Sequence, residues 1–161
     1  MFDNEIAINQ FQLSLLSRIV DDLADDSLYE PSPGHGHTPL WILGHLAICA
    51  EFGQSLLGGQ LTHHDWAATF GPGSSDRPAP NPAWSKVLFR DAITACYSSL
   101  QSMAAHANSE HLAKPHAFEF FRGTPIATIG HAVALLLTNH FGFHISQLLS
   151  CRRVQGHKPL F

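Results

Sequence analysis

The strongest constraint on this chain is a spacing. Apolar residues recur at three- and four-residue intervals in four separate segments, and no stretch alternates apolar and polar residues long enough to build a sheet. In the first segment, from about Asn4 to Asp25, Ile8, Phe11, Leu15, Ile19 and Leu23 fall on one helical face. Its acidic end (Asp21, Asp22, Asp25, Asp26) opposes the helix dipole and reads as a solvated face. The second segment has Thr38 as N-cap, Pro39 at the first helical position and Gly58-Gly59 as its stop. Trp41, His45, Cys49, Phe52 and Leu56 share its inner face. Asn81-Pro82 opens a third helix to about Ala107, with Trp84, Leu88, Ala92, Ala95, Leu100 and Met103 facing inward. Thr124-Pro125 caps a fourth, which runs to about Val154 and stops at Gly156. That last segment is apolar on nearly every side, which predicts an enclosed central helix or a subunit interface. The expectation is an all-α fold, a four-helix bundle in one domain over residues 1–161 with a long loop at 58–81.

Charged residues make up only 14% of the 161 residues, and hydrophobic residues 45%. Such a chain can bury a core, so intrinsic disorder is excluded. A net charge of −4, with no basic stripe, argues against nucleic acid as a partner. The stretch Ile126–Leu149 is long enough to suggest a membrane span. It contains His131, Asn139, His140, His144 and Gln147, which would be costly in lipid, so no membrane is expected. Cys49, Cys96 and Cys151 are odd in number and far apart, and the N-terminus is acidic rather than basic. Both features fit a cytoplasmic, reducing setting and thiols that pack as small apolar residues.

Twelve His outnumber the nine Lys and Arg together. Among them, His140 and His144 alone have i,i+4 spacing inside a confident helix. Two such side chains lie one turn apart, about 5–6 Å between Cβ atoms, and can close on one metal ion. They share a stripe with Val133, Leu136, Leu137, Leu148 and Cys151, where unpaired polar groups are costly. His45, on the inner face of the second helix, is the natural third ligand. Three imidazoles leave a fourth position for water or substrate, as in catalytic zinc sites. Spacing alone leaves two readings open: a metal site, or three hydrogen-bonded core histidines. The chain has no H-E-x-x-H and no E-x-x-H pair. His35, His37, His63 and His64 read as loop residues that could rim a pocket, and His131 as an interface or core residue. His106, His111 and His116 recur every five residues and share no face. No carboxylate is placed as a general base: Glu51 lies off the His45 face, and Glu119 is in a loop.

Two blocks resemble a known family. Trp41-Ile42-Leu43-Gly44-His45-Leu46 resembles the W-x-x-x-H start of the second helix in DinB-like proteins. His140-x-x-x-His144-Ile145-Ser146-Gln147, followed by Arg152-Arg153 and Gly156-x-x-Pro159, resembles that family's closing segment and tail, with Ser146 where Gly is usual. The resemblance implies up-down-down-up connectivity, a homodimer and a divalent metal on His45, His140 and His144. Zinc or nickel comes first among the metals, with iron or manganese as alternatives. It further implies a small-molecule substrate, with some relatives acting as S-transferases or isomerases that use a low-molecular-weight thiol as cofactor. A non-catalytic, stress-response bundle is the other reading.

Overall fold

The apolar stripes become four long helices, and two short helices lie in the connections between them. The computed structural model describes residues 1–32, 34 and 36–160, so His35 of the expected loop pair lies outside the described residues. The helices are α1 (Asp3–Asp22), α2 (Pro39–Leu56), α3 (His64–Phe70), α4 (Lys86–Ala105), α5 (Ser109–Leu112) and α6 (Ile129–Val154). The described residues contain no strand.

Of the four long helices, α2 matches its expected limits. Thr38 Oγ1 accepts the Trp41 amide at 3.2 Å, and Gly58 turns the chain away with φ +90°. The enclosed helix is also α2 rather than the last one: residues from Pro39 to Glu51 are all buried. On α6, half of the most apolar stretch is buried. By length and composition this helix could cross a membrane, and it packs against α1 and α2.

Three expectations are corrected. On α1, Ile8 and Phe11 are 48% and 57% exposed, and the buried row is Asn9, Leu15, Leu16, Ile19, Val20 and Leu23. A polar residue holds the inward position because Asn9 Nδ2 donates to Leu137 O at 2.8 Å. In the third segment, Asn81-Pro82 forms a turn and the helix starts after Ser85, whose hydroxyl accepts the Leu88 amide. The inner face is therefore Phe89, Ile93, Cys96, Tyr97, Leu100 and Ala104, while Leu88 and Ala95 face solvent. The last helix begins after Thr128, which caps the His131 amide, not at Thr124-Pro125.

α6 is not regular along its length. Leu136–His140 forms a π turn between two α-helical halves. Widening a helix by one turn of i→i+5 geometry frees carbonyls from the regular ladder. Here α1 receives them: Leu137 O accepts from Asn9, and Thr138 O accepts from Gln12 Nε2 at 3.2 Å.

α1 packs against α4 and α6, and α2 packs against the same two helices. Along α1 and α6, Asn9 meets Leu137 and Asp22 meets Arg152. Along α1 and α4, Asn9 meets Gln101 and Asp21 meets Arg90. On the inner side, Trp41 meets His144 and His45 meets His140. Glu51 meets Cys96, and a Cβ on Gly53 would meet Leu100 at 2.9 Å.

Candidate metal centre

The connection at 58–81 is built rather than open. It holds α3, and its course is fixed by one carboxylate. Glu51 is fully buried on α2, and it accepts from Thr62 N (3.0 Å), Thr62 Oγ1 (2.7 Å), His63 N (3.1 Å) and His63 Nδ1 (2.5 Å). Cys96 Sγ donates from the other side at 3.6 Å. Burial alone would raise this carboxyl, but the hydrogen bonds from Thr62 and His63 outweigh it and hold the group below its usual range. Glu51 is thus committed to holding the loop, in keeping with its position away from the His45 face.

Pinned in this way, α3 carries Phe70 onto α2. The Phe70 ring is fully buried against Trp84 and Phe89, at centroid distances of 4.9 and 5.3 Å. It lies directly over Gly44, where a Cβ would meet the ring at 2.4 Å. Its carbonyl accepts from His45 Nδ1 at 2.7 Å. With the proton on Nδ1, the His45 Nε2 lone pair faces the bundle interior.

The two halves of the centre come from facing i,i+4 pairs. On α6, the π turn ends at His140, one turn before His144. The three rings cluster, with centroids 5.3 Å (His45–His140), 4.7 Å (His45–His144) and 4.6 Å (His140–His144) apart. The Nε2 atoms of His45 and His140 are 3.3 Å apart. His144 Nδ1 donates to Gln147 Oε1 at 2.7 Å, which leaves its own Nε2 as the free lone pair. Hydrogen bonds of this kind from the outer ring nitrogen are what orient metal-binding imidazoles. Trp41 stacks on His45 at 4.5 Å, with His37 on its other face at 4.6 Å.

Cys49 sits on α2 one turn beyond His45. Its Sγ is 3.4 Å from His45 Nε2, and donor atoms of His45, Cys49 and His140 all lie within 4.8 Å of one another. A second set, Glu51, His63 and Cys96, meets the same distance test and could also hold a metal. There the carboxylate is already saturated by the hydrogen bonds described above.

The imidazoles are held neutral. Burial lowers His45 below its ordinary value. His140 falls to about 4 through burial and then the neighbouring His45. Burial, followed by His140 and His45, takes His144 to about 2. Neutral imidazole is the form that binds metal. Burial likewise pushes the Cys49 thiol well above its ordinary value. His140 Nδ1 is buried without a hydrogen-bond partner, so this imidazole, unlike His45 and His144, lacks an anchor on its outer nitrogen.

Beside these donors opens a cavity of about 130 Å³. His45, Cys49 and His140 form one wall, and Phe52, Pro72, Phe118, Phe120, Phe121 and Leu136 the rest. The three consecutive-region phenylalanines belong to the irregular stretch before α6. They are held there by His116, whose Nε2 donates to Ile126 O and whose Nδ1 accepts the Phe118 amide.

The model of the DinB superfamily matches residues 10–148, most of the chain and all three clustered imidazoles. The chain belongs to the DinB superfamily. Among curated proteins, none matches this sequence.

The superfamily member therefore brings together His45, His140 and His144, as expected. The expected stripe of Val133, Leu136, Leu137, Leu148 and Cys151 is buried around them. Other histidines go elsewhere. His131 is exposed rather than in the core, His64 is exposed, and His111 bonds to Leu56 O. Three neighbours of the cluster escaped the sequence reading: the Cys49 sulfur beside His45 Nε2, Gln147 as the partner of His144, and Phe70 O. The first two carry a signal, at i+4 and i+3 from a site histidine. A carbonyl donated by a distant loop carries none.

Proposed function

We propose that this protein is a metal-dependent enzyme acting on a small molecule, with one divalent ion held by His45, His140 and His144. The supporting observation is the convergence of three neutral imidazoles, two with their outer nitrogens already tied to Phe70 O and Gln147 Oε1. A bound ion would lower the pKa of a coordinated water or thiol toward neutrality. The chain itself supplies orientation and a dry wall. Phe52, Phe118, Phe120, Phe121 and Leu136 exclude water beside the donors and favour an apolar portion of the substrate there. Glu51 is occupied, so no protein carboxylate is assigned as general base, and thiol transfer to, or thiol-dependent isomerisation of, a small electrophile suits the site better than hydrolysis.

An up-down-down-up connectivity is part of this reading. In the α1–α6 pairs residue numbers rise together, and in the α1–α4 pairs they run oppositely. Trp41–His144 and His45–His140 set α2 against α6, while Glu51–Cys96 and Gly53–Leu100 rise together. Two parallel neighbours such as α2 and α4 require a long return, which residues 57–85 provide.

The test is metal analysis of untagged protein followed by thiol titration of the Co²⁺ form. Near-stoichiometric metal, lost in His140→Ala, and a thiol-induced change in the cobalt spectrum are expected. Metal below about a tenth of an equivalent, with His140→Ala indistinguishable in stability, overturns the metal centre. Metal without any thiol response favours the second reading, a non-catalytic homodimeric bundle. Ile8, Phe11 and Phe143, exposed by 48%, 57% and 57% on α1 and α6, support such a dimer. Sedimentation at micromolar concentration checks it, and a monomer there refutes it. A cytoplasmic setting is included in the proposal, supported by the three buried thiols.

A further inference from the structure

We propose that Cys49 is itself a metal ligand, its Sγ joining His45 and His140 on the ion. This rests on the metal-centre reading above and adds a donor that the three-histidine set lacks. The alternative is that Cys49 is a small apolar residue filling space beside His45.

Distances favour ligation. Zinc binds imidazole nitrogen at about 2.0–2.1 Å and thiolate sulfur at about 2.3 Å in tetrahedral sites. Tetrahedral angles then place two nitrogens about 3.3–3.4 Å apart and a nitrogen and sulfur about 3.5–3.6 Å apart. The His45 Nε2–His140 Nε2 separation is 3.3 Å, and Cys49 Sγ–His45 Nε2 is 3.4 Å. These two separations match two edges of a coordination tetrahedron. A neutral thiol can also donate its S–H to the His45 Nε2 lone pair, so what favours ligation is that His140 Nε2 approaches the same point.

The placement follows from the helices. His45 and Cys49 are an i,i+4 pair on α2, facing the i,i+4 pair His140 and His144 on α6. Each helix thus presents two donors from adjacent turns. Cys96, by contrast, is turned to Glu51. Cys49 also borders the apolar cavity, so its sulfur lies between the ion and the space a substrate would enter.

Two consequences follow. Sulfur in the donor set biases the site toward zinc and away from manganese. Together with His144 the set would number four donors, as many as a structural zinc site has, so a substrate donor would need a fifth position or the one held by Cys49.

The experiment is a Co²⁺ titration of the untagged full chain, comparing the unaltered protein with Cys49→Ser, Cys49→Ala and, as a control, Cys96→Ala. The unaltered protein and Cys96→Ala should develop an intense near-ultraviolet thiolate-to-cobalt band that saturates with bound metal. Cys49→Ser and Cys49→Ala should lose that band, keep the visible cobalt bands of the imidazole ligands and bind Co²⁺ on the order of ten- to a hundredfold more weakly. Cobalt bound without the near-ultraviolet band, and held equally well by Cys49→Ala, overturns Cys49 ligation while leaving the histidine centre intact. No cobalt bound at all overturns both. X-ray absorption of the zinc-loaded, unaltered protein needs no folded variant: a shell without sulfur refutes the inference.

Discussion

Replacing Gly44 with Ala adds one methyl group in the middle of α2, where helix propensity alone favours the change by about 1 kcal/mol. The surroundings oppose it. The new Cβ would stand 2.4 Å from Phe70 Cγ and 2.6 Å from both ring Cδ atoms, against about 3.5–4.0 Å for carbon atoms at rest. The ring cannot swing aside, since Trp84 and Phe89 pack against it and it is fully buried. Overpacking of this kind costs about 1–3 kcal/mol and sometimes more. Set against the propensity gain, a net loss of up to about 2 kcal/mol is expected, a fall in Tm of up to about 8 °C for a chain of this size. The clash also moves the Phe70 carbonyl that His45 Nδ1 donates to, so metal affinity should fall about ten- to a hundredfold. Thermal melts of the metal-free protein and a competition titration with a chelator measure the two effects separately. A Gly44→Ala protein that melts higher than the original and holds metal equally well would refute the account of how α3 aligns His45.

Further perturbations probe other parts of the same arrangement. His45, His140 and His144 have folded pKa values below the unfolded value of about 6.5, so the unfolded chain binds more protons as the medium is acidified. Stability of the metal-free protein should hold above about pH 6.5 and fall below it. The fall continues toward pH 4, with a slope approaching roughly 1.4 kcal/mol per pH unit for each of His140 and His144. Urea midpoints at pH 7, 6 and 5 check this, and a flat profile contradicts it. Glu51→Gln removes the charged acceptor of four hydrogen bonds from Thr62 and His63. It should cost about 1.5–3 kcal/mol and speed proteolysis within residues 57–85. Asn9→Ala leaves Leu137 O buried without its donor, at a cost of about 1–3 kcal/mol. If the π turn relaxes as a result, metal affinity drops as well, which the chelator titration reads directly.

Periodicity located all four long helices, because a buried stripe requires the same spacing whatever it packs against. It misplaced faces wherever a polar group entered the core. Asn9 takes an inward position on α1 that an apolar template assigns to its neighbours, since a helix elsewhere offers it a carbonyl. Pro82 and Pro125 were each read as the first residue of a helix. The observed caps, Ser85 and Thr128, lie three residues further on, and in both places the proline only shapes the approach. The site histidines were legible because i,i+4 spacing is a local property. Cys49 follows the same rule one turn beyond His45, and it is buried, as packing also requires. α3 was not legible at all: seven residues between turns, held by a carboxylate eleven positions upstream of Thr62, have no periodic signature.

The π turn at Leu136–His140 also sets how this helix tolerates changes in length. A regular helix advances about 100° per residue and the wider i→i+5 turn advances less, so the five residues of the π turn cover about the angle that four cover in an ordinary helix. Removing one residue from Leu136–Asn139 would therefore let the segment close as an ordinary helix and leave Val133 and His144 on the faces they now hold. The carbonyls that Asn9 and Gln12 of α1 now bind would return to the helix's own ladder. A deletion inside the turn is thus absorbed in phase, whereas one in either regular half turns everything beyond it by about 100°.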